Sequence, residues 1–130
     1  MEHFEDEWIK YAKMDLAVAR RELYLDEDES AILTPVVCFH CEQAVEKALK
    51  AFLIKHHIEF EKIHNLETLR KMCSEVDISF EPIEFGELNY YGVSVRYPDG
   101  MVEMPSFKKA KELFELAEKI TEFIFEKMIQ

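Results

Sequence analysis

A row of side chains that can donate hydrogen bonds or carry positive charge runs through the middle of the sequence. His40, Gln43, Lys47 and Lys50 follow one another at steps of three, four and three residues, and in an α-helix such steps place side chains on one face. Imidazole, amide and ammonium donors in a row suit a phosphate or a nucleotide. The spacing alone favours the simpler interpretation of a solvent-facing helix side.

A second group of candidate residues follows further along the chain. Arg96 is the only basic residue between positions 74 and 104, and it begins an Arg-Tyr-Pro-Asp run that ends at Asp99. If this run meets the row of donors, Arg96 can bind phosphate through two parallel hydrogen bonds. Tyr91 or Tyr97 would then stack on a base.

These candidates also have a purely structural interpretation. Arg96 would pair with Glu42 or Glu46 and pin its loop to the helix. His64, which lies beside Asn65, would tie down the loop in which it stands. Both interpretations stay open at the level of sequence.

Thiol groups accompany the row of donors, but their spacing disfavours a metal site. Cys38 and Cys41 share a helical face, whereas His40 points away by about 100° per residue of helical rotation, and Cys73 stands alone. We predict three buried free thiols and no bound metal. The acidic N-terminus is unlike a secretory signal, and an odd number of cysteines indicates free thiols in a reducing compartment. We therefore expect a cytoplasmic protein. No phosphate-binding Gly-rich loop occurs, and we expect no cofactor.

The charge of the chain is strongly acidic and unevenly spread. Net charge is −11 over 130 residues, with −6 in residues 1–30, +1 in 31–73, −6 in 74–104 and zero in 105–130. Phosphate would be repelled from most of this surface, which excludes non-specific binding of nucleic acid. No apolar run approaches the roughly 20 residues of a membrane span, so we expect no membrane partner.

Apolar periodicity and the scarcity of chain breakers predict long helices. Glycine occurs 3 times and proline 4 times, too few for the frequent turns of a sandwich or barrel. The pattern predicts an all-α, up-and-down helical bundle of three long and one or two short helices in a single domain, residues 1–130. The long helices are expected at about 4–25, 34–57 and 106–128, a short one at 65–75, and a short helix with an extended loop, or alternatively a β-hairpin, within 85–104.

Local signals mark where these helices begin and which faces they bury. Thr34, Asn65 and Ser106 are the expected N-caps.

Phe123 and Phe125 fall outside the apolar stripe of the last helix. A helix that is apolar on several faces packs against more than one neighbour, and exposed aromatic area of this kind is typical of an interface. We therefore expect a homodimer.

Three ordered motifs together resemble one known family. The run from Cys38 to Ala51 reads Cys-Phe-His-Cys-Glu-Gln-Ala-Val-Glu-Lys-Ala-Leu-Lys-Ala, and His64-Asn65-Leu66 and the Tyr91…Arg-Tyr-Pro-Asp motif follow it. This order is similar to that of the HEPN family, the higher eukaryotes and prokaryotes nucleotide-binding domain. The resemblance covers essentially the whole chain.

The resemblance implies a fold, a ligand and partners. HEPN domains are all-α bundles of about five helices, usually homodimeric, and many are encoded beside a minimal nucleotidyltransferase as toxin–antitoxin pairs. We therefore expect nucleotide binding or a minimal nucleotidyltransferase partner. The ligand-binding residues implied are His40, Gln43, Lys47, Lys50, His64, Tyr91, Arg96, Tyr97 and Asp99.

Catalysis is where the sequence departs from the family. Many HEPN domains are metal-independent ribonucleases in which Arg is followed, after four to six residues, by His. Arg20, Arg21, Arg70 and Arg96 are the arginines of this chain, and none has His at that spacing. Without a proton-transferring His the usual cleavage lacks one member, so we predict a non-catalytic binding and interaction module with no catalytic residues. The alternative is a ribonuclease with a non-standard site that uses His40 or His64 with Arg96.

Overall fold

The computed structural model describes residues 4–25, 33–92 and 104–129, and these form a helical bundle. Within these three ranges there is no β-strand, which confirms the predicted all-α class with three long and two short helices. The helices are α1 (Phe4–Leu23), α2 (Thr34–Lys55), α3 (Leu66–Val76), α4 (Leu88–Gly92) and α5 (Phe107–Ile129), with a 3₁₀ turn at Ile78–Phe80 between α3 and α4.

Helix α2 lies at the centre and packs against each of the other four helices. The side chains of Val37, Cys41, Ala44, Ala48 and Ala51 form one apolar seam along this helix, and all five are fully buried. The three alanines allow close approach of the neighbouring helices. One helix therefore carries both the core seam and, on its remaining faces, four of the nine candidate site residues.

Two of the three predicted N-caps are confirmed and one is wrong. Asn65 Oδ1 accepts a hydrogen bond from the Thr68 amide at 3.0 Å, and Ser106 Oγ accepts one from the Lys109 amide at 3.0 Å. Thr34 is instead the first residue of α2, and no side chain caps that helix. Its hydroxyl donates to the Pro105 carbonyl at 2.7 Å, so it ties α2 to the segment that leads into α5.

The end of α2 sets the position of the loop that carries His64. The helix ends at Lys55, two residues before the expected end, because His57 adopts a left-handed backbone with φ 59°. The His57 amide bonds to the Ile54 carbonyl at 3.0 Å and the Ile58 amide bonds to the Leu53 carbonyl at 2.9 Å. This is the Schellman arrangement. It reverses the chain, and residues 58–64 run back along α2.

The aromatic residues on the second face of α5 pack within the same chain. Phe123 meets Phe80 of the 3₁₀ turn edge to face, with ring centroids 5.2 Å apart, and the Lys13 ammonium of α1 lies 5.4 Å from the centre of the Phe125 ring. The expectation of more than one neighbour for α5 is confirmed. Those neighbours belong to the same chain.

The remaining sequence predictions concern thiols and the segment 85–104. Cys38, Cys41 and Cys73 are free and buried, as predicted. Burial raises the pKa of Cys38 and of Cys73 to about 12, and it also raises that of Cys41. The short helix predicted within 85–104 is α4, whereas the choice between an extended loop and a hairpin falls on residues 93–103, outside the described part.

Candidate functional site

The predicted row of donors on α2 divides into two halves with different neighbours. In the first half, His40 Nδ1 lies 2.7 Å from Asp15 Oδ1, and Lys47 Nζ donates to Asp15 Oδ2 at 2.6 Å. The Asp15 side chain is buried on the inner face of α1. This half therefore joins α2 to α1, and the interpretation as a solvent-facing helix side is wrong here.

In the second half, Lys50 belongs to a buried network. Its ammonium donates to Glu46 Oε2 at 2.8 Å, and His64 Nδ1 lies 2.8 Å from the same oxygen. The ammonium also lies 5.6 Å from the centre of the Trp8 ring and 5.2 Å from that of Phe60. Lys50 is only 4% exposed, and a cation this deep requires a partner. Both lysines of the row thus already have a carboxylate partner.

Glu42 stands one helical turn before Glu46 and is also buried. Gln43 Nε2 donates to its Oε1 at 2.9 Å. The pKa of Glu42 is raised to about 7, chiefly by burial and further by the charge of Glu46 and a side-chain hydrogen bond with it, whereas the Gln43 hydrogen bond and the charge of His64 act to lower it. Within the described residues no ammonium or guanidinium forms a salt bridge with Glu42. Near neutral pH this side chain therefore exchanges between a carboxyl and a carboxylate form.

The side chains of Glu42, Gln43, Glu46 and His64 line one cavity of about 630 Å³. Among the described residues, its wall is built by α2, by the residues just before α3 and by α4, and it contains two carboxyl groups, one imidazole, one aromatic ring and three side-chain amides. The sequence has only four side-chain amides, so three of them meet here. The lining residues are Phe39, Glu42, Gln43, Glu46, His64, Asn65 and Asn89.

Among the described residues, the cavity wall is rich in hydrogen-bond acceptors and includes no lysine or arginine. Ionised carboxylates only accept hydrogen bonds, whereas amides both donate and accept. Its volume falls within the range of small-molecule pockets, about 300–1,000 Å³. The wall thus favours a neutral or cationic ligand with several N–H donors over a phosphate.

The structure places the predicted site residues in four groups. Gln43 and His64 line the cavity, and Lys50 lies behind it against Glu46. His40 and Lys47 contact α1. Tyr91 belongs to α4, and three further predictions fall outside the described residues: Arg96, Tyr97 and Asp99.

Sequence reasoning missed part of the cavity wall. Phe39, Glu42 and Glu46 lie at i, i+3 and i+7, which is a helical stripe beside the one analysed, so their spacing held the signal. Asn89 comes from a different helix. No spacing in the sequence links it to α2.

Two other features, a metal site and a membrane-spanning helix, do not occur in the described ranges. No group of three or more His, Cys, Asp or Glu residues there has a geometry that could hold a metal ion. None of the helices in those ranges combines the length and the apolar character needed to cross a membrane.

Comparison with protein families defines the class of this chain. The model of the HEPN domain matches residues 5–128, which is nearly the whole length. The chain therefore belongs to the HEPN family. Searches of curated proteins and of solved structures each found no significant match.

Proposed function

We propose that this chain is a non-catalytic HEPN binding module that holds the base of a nucleotide in the cavity beside α2. The observation that carries the proposal is the convergence of three of the chain's four side-chain amides on one cavity. Amides, an imidazole and carboxylates match the mixed donors and acceptors of a base edge. Phe39 supplies an aromatic face on which a base can stack.

The remaining candidate residues take supporting roles in this proposal. Gln43 and His64 contact the base, and Lys50 fixes the Glu46 carboxylate. His40 and Lys47 hold α2 to α1 through Asp15.

The phosphate of the nucleotide requires a cation from outside the cavity wall. We assign this role to Arg96, with Tyr91 or Tyr97 stacking on the base and Asp99 completing the Arg-Tyr-Pro-Asp run. Arg96→Ala is then expected to abolish nucleotide binding and to leave the melting temperature nearly unchanged. A lower melting temperature, with no binding by the wild type, would instead mean that Arg96 pairs with Glu42 or Glu46.

Binding in the cavity is tested by calorimetry with the four common nucleoside monophosphates. Asn89 is exposed on α4, so Asn89→Ala is expected to fold and to weaken binding at least fivefold, since one hydrogen bond is worth about 1 kcal/mol. The matched control is Glu84→Ala, an exposed residue outside the cavity wall. Absence of binding by the wild type at millimolar nucleotide would refute the proposal.

The family resemblance supports a protein partner as well. We propose a minimal nucleotidyltransferase partner of toxin–antitoxin type, in a cytoplasmic homodimer whose 130 residues form one domain. Light scattering is expected to give twice the 15.4 kDa of the chain, and the nucleotidyltransferase encoded beside it should co-purify with it. A mass near 15.4 kDa across micromolar concentrations would exclude the homodimer.

A ribonuclease is the second candidate, and two carboxylate–histidine pairs favour it. Asp15 holds His40 Nδ1 and Glu46 holds His64 Nδ1. In each pair a carboxylate that accepts from Nδ1–H would orient the ring and leave Nε2 to accept a proton. Cleavage of single-stranded RNA in EDTA that is lost in His64→Ala would favour this candidate over the binding module.

A further inference from the structure

The cavity wall contains a buried acid, Glu42, that forms no salt bridge within the described part of the chain. Glu42 is 4% exposed and Glu46 5% exposed, and they lie one turn apart on α2. Lys50 forms a salt bridge with Glu46, and His64 Nδ1 lies 2.8 Å from the same carboxylate. Glu42 receives a neutral amide hydrogen bond from Gln43, and no cation in the described ranges forms a salt bridge with it. A buried carboxylate without a cation is costly, and N–H donors from a ligand would offset that cost.

The donors that best match a carboxylate are two parallel N–H groups. Among the common bases, guanine alone presents two adjacent N–H donors on its Watson–Crick edge, at N1 and at the 2-amino group. Adenine and cytosine place a ring-nitrogen acceptor beside their amino group, and uracil places its N3–H between two carbonyls. A carboxylate facing any of these three would meet an acceptor with one of its oxygens.

We propose that the Glu42 carboxylate makes the cavity selective for guanine by accepting hydrogen bonds from N1–H and from the 2-amino group. This inference rests on the proposed function, because it names the base that the cavity takes. Gln43, Asn65 and Asn89 flank the carboxylate and can meet the other polar atoms of the base. The three amides can form hydrogen bonds with any base, whereas Glu42 distinguishes guanine from the other bases.

Because Glu42 can be protonated, the base preference of the cavity should change with pH, which would not follow from the shape of the cavity alone. Burial raises its pKa to about 7, so the two-acceptor form that guanine requires predominates above pH 7. Protonation converts Glu42 into one donor and one acceptor, which is the pattern that adenine complements. Among the described residues, the charged or titratable groups that face Glu42 are Glu46 on α2 and His64 at the end of residues 58–64, and the described side chains of α3 and α4 add no charged group to the wall.

The test is calorimetric titration of the full chain with GMP, IMP and AMP at pH 8 and pH 6. The three nucleotides share ribose and phosphate, so the ratios of their affinities report the base alone. IMP has N1–H and lacks the 2-amino group. At pH 8 we expect GMP to bind about tenfold more tightly than IMP, and more tightly still than AMP, since one bidentate base contact is worth about 1–3 kcal/mol.

The direction of the pH effect follows from which form of Glu42 each base requires. GMP binds the ionised form, so its affinity rises from pH 6 to pH 8 and binding at pH 6 releases a proton. AMP binds the protonated form, so its affinity falls over the same range. Titration in two buffers of different ionisation enthalpy measures the proton directly.

Two variants assign the effect to Glu42. Glu42→Gln keeps the size of the side chain and removes its ionisation, so it should lose both the GMP preference and the pH dependence while still binding nucleotide. Glu84→Gln makes the same change at an exposed residue outside the described cavity wall, so it should keep both the GMP preference and the pH dependence.

The outcomes separate this inference from the proposed function. Equal binding of GMP, IMP and AMP by the wild type would refute guanine selection and leave the base-binding cavity intact. No binding of any nucleotide would refute both. A GMP preference that Glu42→Gln retains would refute the assignment to Glu42.

Discussion

Glu42→Gln is expected to stabilise the folded protein at pH 8 and to leave its stability unchanged at pH 4.5. The pKa of Glu42 rises from 4.5 to about 7 on folding, chiefly because the side chain is buried. The folded state therefore binds more protons than the unfolded state between these two values, and stability falls as pH rises through this window. Glutamine remains neutral at every pH.

The size of the effect follows from the same pKa. At about 1.4 kcal/mol per pH unit, ionising Glu42 inside the folded protein costs about 3 kcal/mol once the pH exceeds 7. Wild type loses that stability between pH 4.5 and pH 7, whereas the variant does not. The free energy of unfolding of the variant should thus exceed that of wild type by about 3 kcal/mol at pH 8.

Urea unfolding followed by circular dichroism at both pH values measures the difference. The matched control is Glu61→Gln, since Glu61 is exposed and its substitution should change stability by less than about 0.5 kcal/mol at either pH. Equal stability of Glu42→Gln and wild type at pH 8 would show that Glu42 ionises without cost. The raised pKa and the electrostatic role assigned to Glu42 would then both be wrong.

Four further changes or measurements test other parts of the structure. Ala48 is fully buried at the middle of α2, so Ala48→Asp should abolish the cooperative melt, and a native-like melt would contradict the packing described. Asp15→Asn should lower the free energy of unfolding by about 1–3 kcal/mol, whereas the exposed control Asp6→Asn should not; equal effects would argue against the α1–α2 link. The three buried thiols should react with Ellman's reagent only on unfolding, and a fast-reacting thiol in the native protein would contradict their burial. Purified protein should leave single-stranded RNA intact, and cleavage in EDTA that is lost in both His40→Ala and Arg96→Ala would overturn the non-catalytic proposal.

The helices were predictable because their signals are local. The apolar repeat of α2, the cap at Asn65 and the cap at Ser106 each depend on residues within one or two turns. The exceptions depend on contacts distant in sequence or on an unusual backbone. The Thr34 hydroxyl donates a hydrogen bond to the carbonyl of Pro105, which is 71 residues away. His57 adopts the left-handed conformation that glycine usually adopts at a helix C-terminus.

The site was predictable only in part, since it depends on which helix faces each side chain. Spacing placed His40, Lys47 and Lys50 on one face of α2, but it did not show that Asp15 of α1 lies opposite two of them. The same limit applies to Lys50. Its i, i+4 spacing from Glu46 can be read from the sequence, but the burial of Lys50 cannot. The side chains that the sequence suggested as hydrogen-bond donors to phosphate therefore belong, in the structure, to two internal ion-pair networks.

Contact between a nucleotide base and the cavity wall is tested most directly by NMR of the side-chain amides. The chain has four of them, and three line the cavity: Gln43, Asn65 and Asn89. Titration with GMP at pH 8 should shift the three cavity NH₂ resonances in a saturable manner with one shared dissociation constant. Saturable shifts of backbone amides elsewhere, with the three cavity NH₂ pairs unmoved, would place the ligand outside the cavity and contradict the proposed function.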